Sequence, residues 1–354
     1  MATITLFTGI DTTAPDFLDL SFDDIPIANG SQVVLDFGDG TQGVFFGTFS
    51  FGNDGLISGG TVTRYDERTT SGDLLGRVEG ISLPAVTAQD FVFSNNSAAL
   101  ANVALGGSDL VNGSIQSDVL AALAGNDTIN ANGGNDRAYG QAGNDVINGG
   151  TGDDSLFGNL GNDTVVGGAG NDSLKAQTDD DLIQGDAGND VAFGGGNNDV
   201  INGGADSDTL NGNSGFDTIS GDAGNDTVRG QGGRDNLSGG DGNDLLLGMQ
   251  GFDTLNGGSG NDTLIGAQAN DTMTGGTGID VFVFAIGHGI NVVTDFADNA
   301  DKISMPGVGG FGALNIVNTA NGALITLASG TDDLAVTLNN VNANQLTASD
   351  FFFS

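Results

Sequence analysis

The sequence predicts an all-β protein: a parallel β-roll with two nonapeptides per coil, preceded by an N-terminal β domain and followed by a C-terminal β cap. Three observations lead there. An aspartate recurs every nine residues from Asp109 to Asp280, 20 times without a slip. Two residues after each of these aspartates the side chain is always apolar, as in Ile147, Leu156, Val165, Leu174 and Ile183, with Ala138 and Ala192 the smallest. Five residues before the aspartate stands Gly in 16 cases and Ala in the other four, and two residues before it stands Gly in 15.

The repeat translates into a coil. A unit reads Gly149-Gly150-Thr151-Gly152-Asp153-Asp154-Ser155-Leu156-Phe157: six residues of glycine-rich turn, then three of strand. Two such halves, 18 residues, complete one coil with a strand on each face. By strand alternation the residue at Asp+2 points inward and those at Asp+1 and Asp+3 point outward. Unbroken register and inward aliphatics argue against a disordered acidic linker, which needs neither.

The charge pattern narrows the chemistry. The formal net charge is −38, with 8 Lys and Arg against 46 acids. Nucleic acid and anionic membranes would repel such a chain, so neither is expected as a partner. Only Glu67 and Glu79 are glutamates; the other acids are aspartates. A solvating surface would use both types, whereas short carboxylates in tight turns aim at something specific, and a hard cation that takes oxygen ligands fits best. There is no Cys, so thiolate metal sites and disulfides play no part. No apolar run approaches the roughly 20 residues that span a bilayer, and Met1–Ile10 lacks the basic and apolar regions of a secretory signal peptide.

The nonapeptide resembles the RTX (repeats-in-toxin, haemolysin-type) repeat, a calcium-binding β-roll unit, over about half the chain. The resemblance implies many Ca2+ ions, each held between turns of consecutive coils on one edge by both aspartates and several turn carbonyls. The candidate ligands are Asp127, Asp136, Asp145, Asp154, Asp163, Asp172, Asp190, Asp199, Asp208, Asp217, Asp226, Asp235, Asp244, Asp253, Asp262, Asp271 and Asp280. With them go the glycines of intact turns: Gly149, Gly150, Gly152, Gly167, Gly168, Gly170, Gly239, Gly240, Gly242, Gly257, Gly258 and Gly260. A roll with one inward aliphatic per half-coil cannot offset the entropy of ordering so much glycine, so calcium must supply the difference. The turn Ala176-Gln177-Thr178-Asp179-Asp180-Asp181 lacks both glycines and is expected to be weak or remodelled; Asn197, Asp206 and Ala269 also replace a turn glycine, and Gln116 marks an imperfect first coil.

The expected domains are 1–103, 104–283 and 284–354. In the first, Val44–Phe51 and Leu56–Tyr65 flank Gly52-Asn53-Asp54-Gly55, a hairpin signal, with Val33–Phe37 and Leu74–Leu83 as further strands. After the repeats, Val281–Phe284, Asn291–Phe296 and Asp301–Ile303 resemble the cap of serralysin-type RTX proteins, and Ala323–Leu327 and Leu334–Leu338 read as strands. Thr87–Ser94 and Thr347–Ser354 match at six of eight positions. The second copy, an aspartate followed by aromatics, resembles the C-terminal motif of type I secretion substrates, which implies the type I secretion machinery as a partner. It reads equally well as a strand that seals a β domain.

Catalytic motifs are missing. The one histidine, His288, excludes a two-histidine protease helix, and no Gly-x-Ser-x-Gly elbow occurs; no enzyme is expected. The favoured function is a secreted calcium-binding structural protein, extracellular or at the cell surface, that folds on calcium outside the cell and associates with copies of itself. The alternatives are a binding module for a surface glycan carried by residues 1–103, and a secreted enzyme. Sorting the ladder by parity separates two edges. All complete Gly-Gly-x-Gly-x-Asp turns, ending at Asp154, Asp172, Asp244, Asp262 and Asp280, share one edge. On the other, Phe216, Arg234 and Phe252 recur at 18-residue intervals, a column that permits cation–π contact. With Phe193 they are the interface candidates.

Overall fold

The computed structural model describes residues 108–122, 124–327 and 334–353 in full, together with the backbone of strands between residues 5 and 103. The chain divides into two compact units, Met1–Gly158 and Asn159–Ser354.

In the first unit, Gln32–Asp36, Thr41–Phe51, Ile57–Thr69 and Leu74–Pro84 form an antiparallel succession. The second and third of these are the two arms expected of a hairpin; its turn, Gly52–Leu56, and the echo at Thr87–Ser94 lie outside the described residues. The last strand pairs antiparallel with the first strand of the roll, Val78 opposite Val111. From there the described pairing within this unit is parallel. Thr128–Asn130 lies between Leu110–Asn112 and Val146–Thr151, with Ile129 beside both Val111 and Ile147. On the other face Ala101–Val103, Val119–Ala121 and Arg137–Ala142 follow each other at the same 18-residue interval. Parallel pairing thus begins at Ala101, three residues before the expected boundary at 104.

The second unit carries the regular part of the roll. Thr164–Ala169, Leu182–Ala187, Val200–Ala205, Thr218–Ala223, Asn236–Asp241, Thr254–Ser259 and Thr272–Thr277 form one parallel sheet. Ser173–Thr178, Val191–Gly196, Thr209–Gly215, Thr227–Gly233, Leu245–Gly251 and Thr263–Gln268 form the other. Every register step is 18 residues, as in Ile183 opposite Ile201. The Asp+2 side chains, among them Ile183, Ile201, Leu210, Ile219, Leu246 and Leu264, are wholly buried and stack on their own kind one coil away.

One expectation needs correction. The strands are six or seven residues long, not three, because pairing resumes past the glycine at Asp+4: Gly168 lies opposite Asp186 and Ala169 opposite Ala187. That glycine faces inward. A Cβ on Gly185 would lie 2.4 Å from Asp190 Oδ2 and 2.3 Å from the Gly203 carbonyl oxygen. The position is small so that the next ladder carboxylate can fold over it, and the strand runs on into what the sequence reads as turn.

The roll does not stop at 283 either. Val281–Val283 is followed in parallel by Lys302–Ser304, and that strand by Phe351–Phe352. On the opposite face Gly289–Val293 stacks on Thr272–Thr277, and Leu334–Asn339 stacks on it in parallel. A small antiparallel meander, Leu314–Asn318 with Gly322–Leu327 and Leu334–Asn339, is inserted between. The stretch expected as a separate cap from 284 therefore continues the roll with longer coils. Phe282, Phe284, Val293, Ile303 and Met305 extend the core, and Phe351 closes it, its ring 5.3 Å from Phe311 and 5.9 Å from Phe353.

Candidate metal centres

The ladder aspartates are buried in both units, most at 1–3% exposure. Within each unit they are linked by the same bond: Oδ1 accepts the backbone N–H of the aspartate 18 residues earlier, at 2.7–3.0 Å. This bond is why aspartate rather than glutamate fills the position. The short side chain lets the carboxylate reach back one coil while staying under the turn.

The second oxygen is not satisfied in the same way. In Asp127, Asp136, Asp181, Asp190, Asp199, Asp208, Asp217, Asp226, Asp235, Asp244, Asp253, Asp262, Asp271 and Asp280, Oδ2 is buried and has no hydrogen-bond partner among the described residues. Burial raises the carboxyl pKa accordingly. Desolvation pushes Asp181 up to about 8, with neighbouring ladder carboxylates adding to it, and Asp136, Asp199, Asp208 and Asp253 up to about 7. A column of buried carboxylates, each with one oxygen anchored and one without a donor, is a strong cost in water-excluded surroundings. A cation relieves it.

The turns supply further oxygens. Gly242 and Gly260 adopt φ of 142° and 136°, and a Cβ on either would fall 1.5 and 1.6 Å from the carbonyl oxygens of Gly224 and Gly242, one coil back. Glycine here admits the carbonyl of the neighbouring turn, so carbonyls and carboxylates gather on the same edge. An all-oxygen donor set with several anionic members suits Ca2+ in preference to softer metals. The residues present fit the ion.

The candidate ligands fall where the repeat put them. Gly149, Gly167, Gly239 and Gly257 are inward and buried; Gly150, Gly152, Gly168, Gly170, Gly240, Gly242 and Gly258, like Gly260, have positive φ. In the first unit Asp145 and Asp154 accept the N–H groups of Asp127 and Asp136, and in the second Asp163 and Asp172 give theirs to Asp181 and Asp190. The expectation for Ala176–Asp181 is overturned in one respect: the turn is not remodelled. Gln177 and Asp179 take φ of 88° and 78° in place of glycines, Asp179 Oδ2 accepts the Gly161 N–H at 3.1 Å, and Asp181 keeps both ladder bonds, 2.8 and 3.0 Å. Asn197, Asp206 and Ala269 likewise adopt positive φ. Asn and Asp enter this region at modest cost, so losing the glycine does not lose the turn.

Two rungs escaped the sequence reading. Asn291 Oδ1 accepts the Asp271 N–H at 2.8 Å and Asp301 Oδ1 the Asp280 N–H at 3.1 Å. Their spacings of 20 and 21 residues break the period; the available signal was a buried apolar residue two places on, Val293 and Ile303. Asp295 is a further addition: its two oxygens accept the N–H groups of Gly275 and Gly276.

The interface candidates are exposed, Phe216 at 66% and Phe252 at 59%, with Arg234 exposed between them and Phe193 half-buried. The cation–π contact expected in this column is not formed among the described residues. It occurs above strands instead: in the first unit Arg137 lies 5.7 and 5.5 Å from the rings of Tyr139 and Phe157, which stack at 4.9 Å, and in the second Lys175 lies 5.9 Å from Phe193. At Asp+1 and Asp+3 side chains stand side by side above a sheet, whereas turn residues splay outward.

No curated protein matches the chain. Among solved structures it is similar to the AlgE6R3 subunit from the Azotobacter vinelandii mannuronan C5-epimerase, at 26% identity and a TM-score of 0.30 over 35% of this chain and 81% of that one. It is also similar to a hyperactive, Ca2+-dependent, beta-helical antifreeze protein from an Antarctic bacterium, at 22% and 0.33 over 61% and 88%. A third is the extracellular lipase LipA from Serratia marcescens, at 16% and 0.27 over 51% of this chain and 40% of the lipase. The family model for the RTX calcium-binding nonapeptide repeat matches residues 103–138, 139–174, 176–210, 211–246 and 247–282, half of the chain. With its aspartate ladder and its two nonapeptides per coil, the chain belongs to the RTX calcium-binding nonapeptide repeat family.

Proposed function

We propose that this protein is a secreted structural component that folds when it meets calcium outside the cell and then associates with copies of itself at the cell surface or in the extracellular matrix. The observation that carries the reading is the row of buried Oδ2 atoms without donors. The ladder aspartates from Asp127 to Asp280, Asp181 included, would hold the ions. At cytosolic calcium the charged ladder opposes folding, and the unfolded chain is what an export channel such as the type I machinery would take. At the millimolar levels met by extracellular calcium modules the ladder closes. Its role is structural rather than catalytic.

The test is circular dichroism and electron microscopy of the purified protein in chelator and after addition of millimolar calcium. β structure should appear with the ion, and assemblies with it. A native β signal in chelator at neutral pH would refute calcium-dependent folding. Folded monomers at high concentration in calcium would refute the assembly.

A further inference from the structure

The two edges of the second unit differ in a way the ladder does not require. On both, polar residues that precede the ladder aspartates form rungs of their own: the side-chain oxygen accepts the backbone N–H of the equivalent residue one coil on. Asn225 accepts from Asn243, Asn243 from Asn261 and Asn261 from Ile279 along one edge. On the other edge Asp180 accepts from Asn198 and Asn198 from Phe216, and the series resumes where Asn270 accepts from Ile290. Between them stand Phe216, Arg234 and Phe252, none of which has a side-chain acceptor. Three successive rungs are given up, and two phenyl rings are exposed at 66% and 59% beside Met249 at 41%. Arg229 and Arg234, two of the few cations of a −38 chain, make no ion pair among the described residues. The strands leading into this edge, Val191–Gly196, Thr209–Gly215, Thr227–Gly233 and Leu245–Gly251, carry no carboxylate.

The opposite edge is its complement. Over four consecutive coils it presents one exposed carboxylate outside the ladder in each: Asp186, Asp206, Asp222 and Asp241. Register sets them on adjacent turns, with Asp186 opposite Gly204, Gly204's neighbour Asp222 next, and Asp222 opposite Gly240. Both columns advance by one strand spacing per coil, about 4.8 Å, so a basic, aromatic edge and an acidic edge of matching repeat lie on one molecule.

We infer that the occupant of the Phe216–Arg234–Phe252 edge is the Asp186–Asp206–Asp222–Asp241 edge of a second copy of this chain. The contact uses two different surfaces, so it does not close on itself, and copies add side by side into an open row. The inference rests on the self-association proposed above and specifies its surfaces.

Two triple variants test it: Phe216→Ser, Arg234→Asp and Phe252→Ser on one edge, and Asp186→Asn, Asp222→Asn and Asp241→Asn on the other. Asparagine preserves the positive φ of Asp186 and Asp222. Sedimentation velocity in millimolar calcium at low salt should show the unaltered protein growing beyond dimers with concentration and each variant as a folded monomer. An equimolar mixture of the two variants should give one species, a heterodimer, since each retains one good edge. If the unaltered protein associates and either variant does so equally, or the mixture stays monomeric, the edge assignment is wrong while self-association stands. If the unaltered protein is a monomer, self-association itself fails. Should a triple variant not fold on calcium by circular dichroism, Arg234→Asp and Asp222→Asn alone give the same reading.

Discussion

Replacing Asp244 by asparagine separates the two jobs of a ladder carboxylate. Asp244 Oδ1 accepts the Asp226 N–H at 2.9 Å while its own N–H is held by Asp262. Asn291 makes the same bond to Asp271 with an amide oxygen at 2.8 Å, so Asp244→Asn keeps the rung. What disappears is the charge with which Asp244 would help hold one ion together with Asp226 and another together with Asp262. An ion at 100 times its dissociation constant stabilises the folded state by about 2.7 kcal/mol, so weakening both sites costs up to about 5 kcal/mol. For a unit of this size that corresponds to a fall in Tm of about 10–20 °C. The assay is thermal melting followed by far-UV circular dichroism, in millimolar calcium and in chelator. In calcium Tm should fall by this amount and the calcium midpoint should rise. In chelator the variant should be no less structured than the parent, since a desolvated charge has been removed. An unchanged Tm in calcium, or equal losses in both conditions, would mean that Asp244 acts through its hydrogen bond alone. Asp181→Asn should behave like Asp244→Asn, because its turn keeps both ladder bonds; a much smaller loss would make glycine count the determinant of site quality after all.

Without calcium, folding should depend on pH with an inverted sign. The folded pKa values of Asp136, Asp181, Asp199, Asp208 and Asp253 lie at about 7 to 8, raised by desolvation, above the unfolded value near 3.9. The folded state therefore binds more protons, and in chelator β structure should grow as pH falls from about 8 toward 4; a calcium-free signal that weakens on acidification over that range would contradict the burial argument. In calcium the same protons compete with the ion, so the calcium midpoint should rise below about pH 7. Gly242→Ala should abolish or severely weaken folding, because its Cβ meets the Gly224 carbonyl at 1.5 Å at a φ of 142°, whereas Gly309→Ala, with nothing within 4 Å, should change Tm by less than about 2 °C; similar effects would show that the coils can part. Phe351→Ser should cost about 3–5 kcal/mol, as for other buried phenylalanines, measured as a lower Tm at fixed calcium; no loss would leave the tail to export alone.

The fold was legible because the ladder is a strict period, and the period exists because each coil must repeat the same bond to the next. Aspartate at 18-residue intervals, a buried aliphatic at Asp+2 and a missing side chain at Asp+4 are three consequences of one geometry, so each predicts the others. Reading stopped where the period did. Asn291 and Asp301 were hidden by two or three inserted residues, although their structural role is unchanged. The glycine-free turn at Ala176–Asp181 misled for a related reason. Glycine is the usual answer to a positive φ, and Gln177 and Asp179 adopt it at a cost that the stacked coils absorb. Cation–π pairing at Arg234 was inferred from spacing alone, which gives the distance between backbones but not the direction of the side chains.

The last rungs explain how such a ladder can end. An interior carboxylate would hold calcium together with the coils on both sides; beyond Asn291 and Asp301 no further ladder aspartate completes such a site among the described residues. The chain meets this with its own donors. On one edge the ladder aspartate is replaced by Asn291, which brings the rung acceptor without a charge and gives its amide to the His288 carbonyl at 3.1 Å. On the other, Asp301 retains the carboxylate, but its Oδ2 accepts the Ala297 N–H at 2.7 Å, a donor that Oδ2 of Asp262 and Asp280 does without among the described residues. Asp295 ties down the two glycine N–H groups of the final complete turn, and Asp350, 2% exposed, lies 3.9 Å from Lys302 Nζ and accepts the Thr347 N–H at 2.8 Å. The inserted residues that broke the period supply Ala297 and Asp295. The irregular coils, at the change from 18-residue spacing to 20 and 21, are therefore where protein donors would take over from the ion.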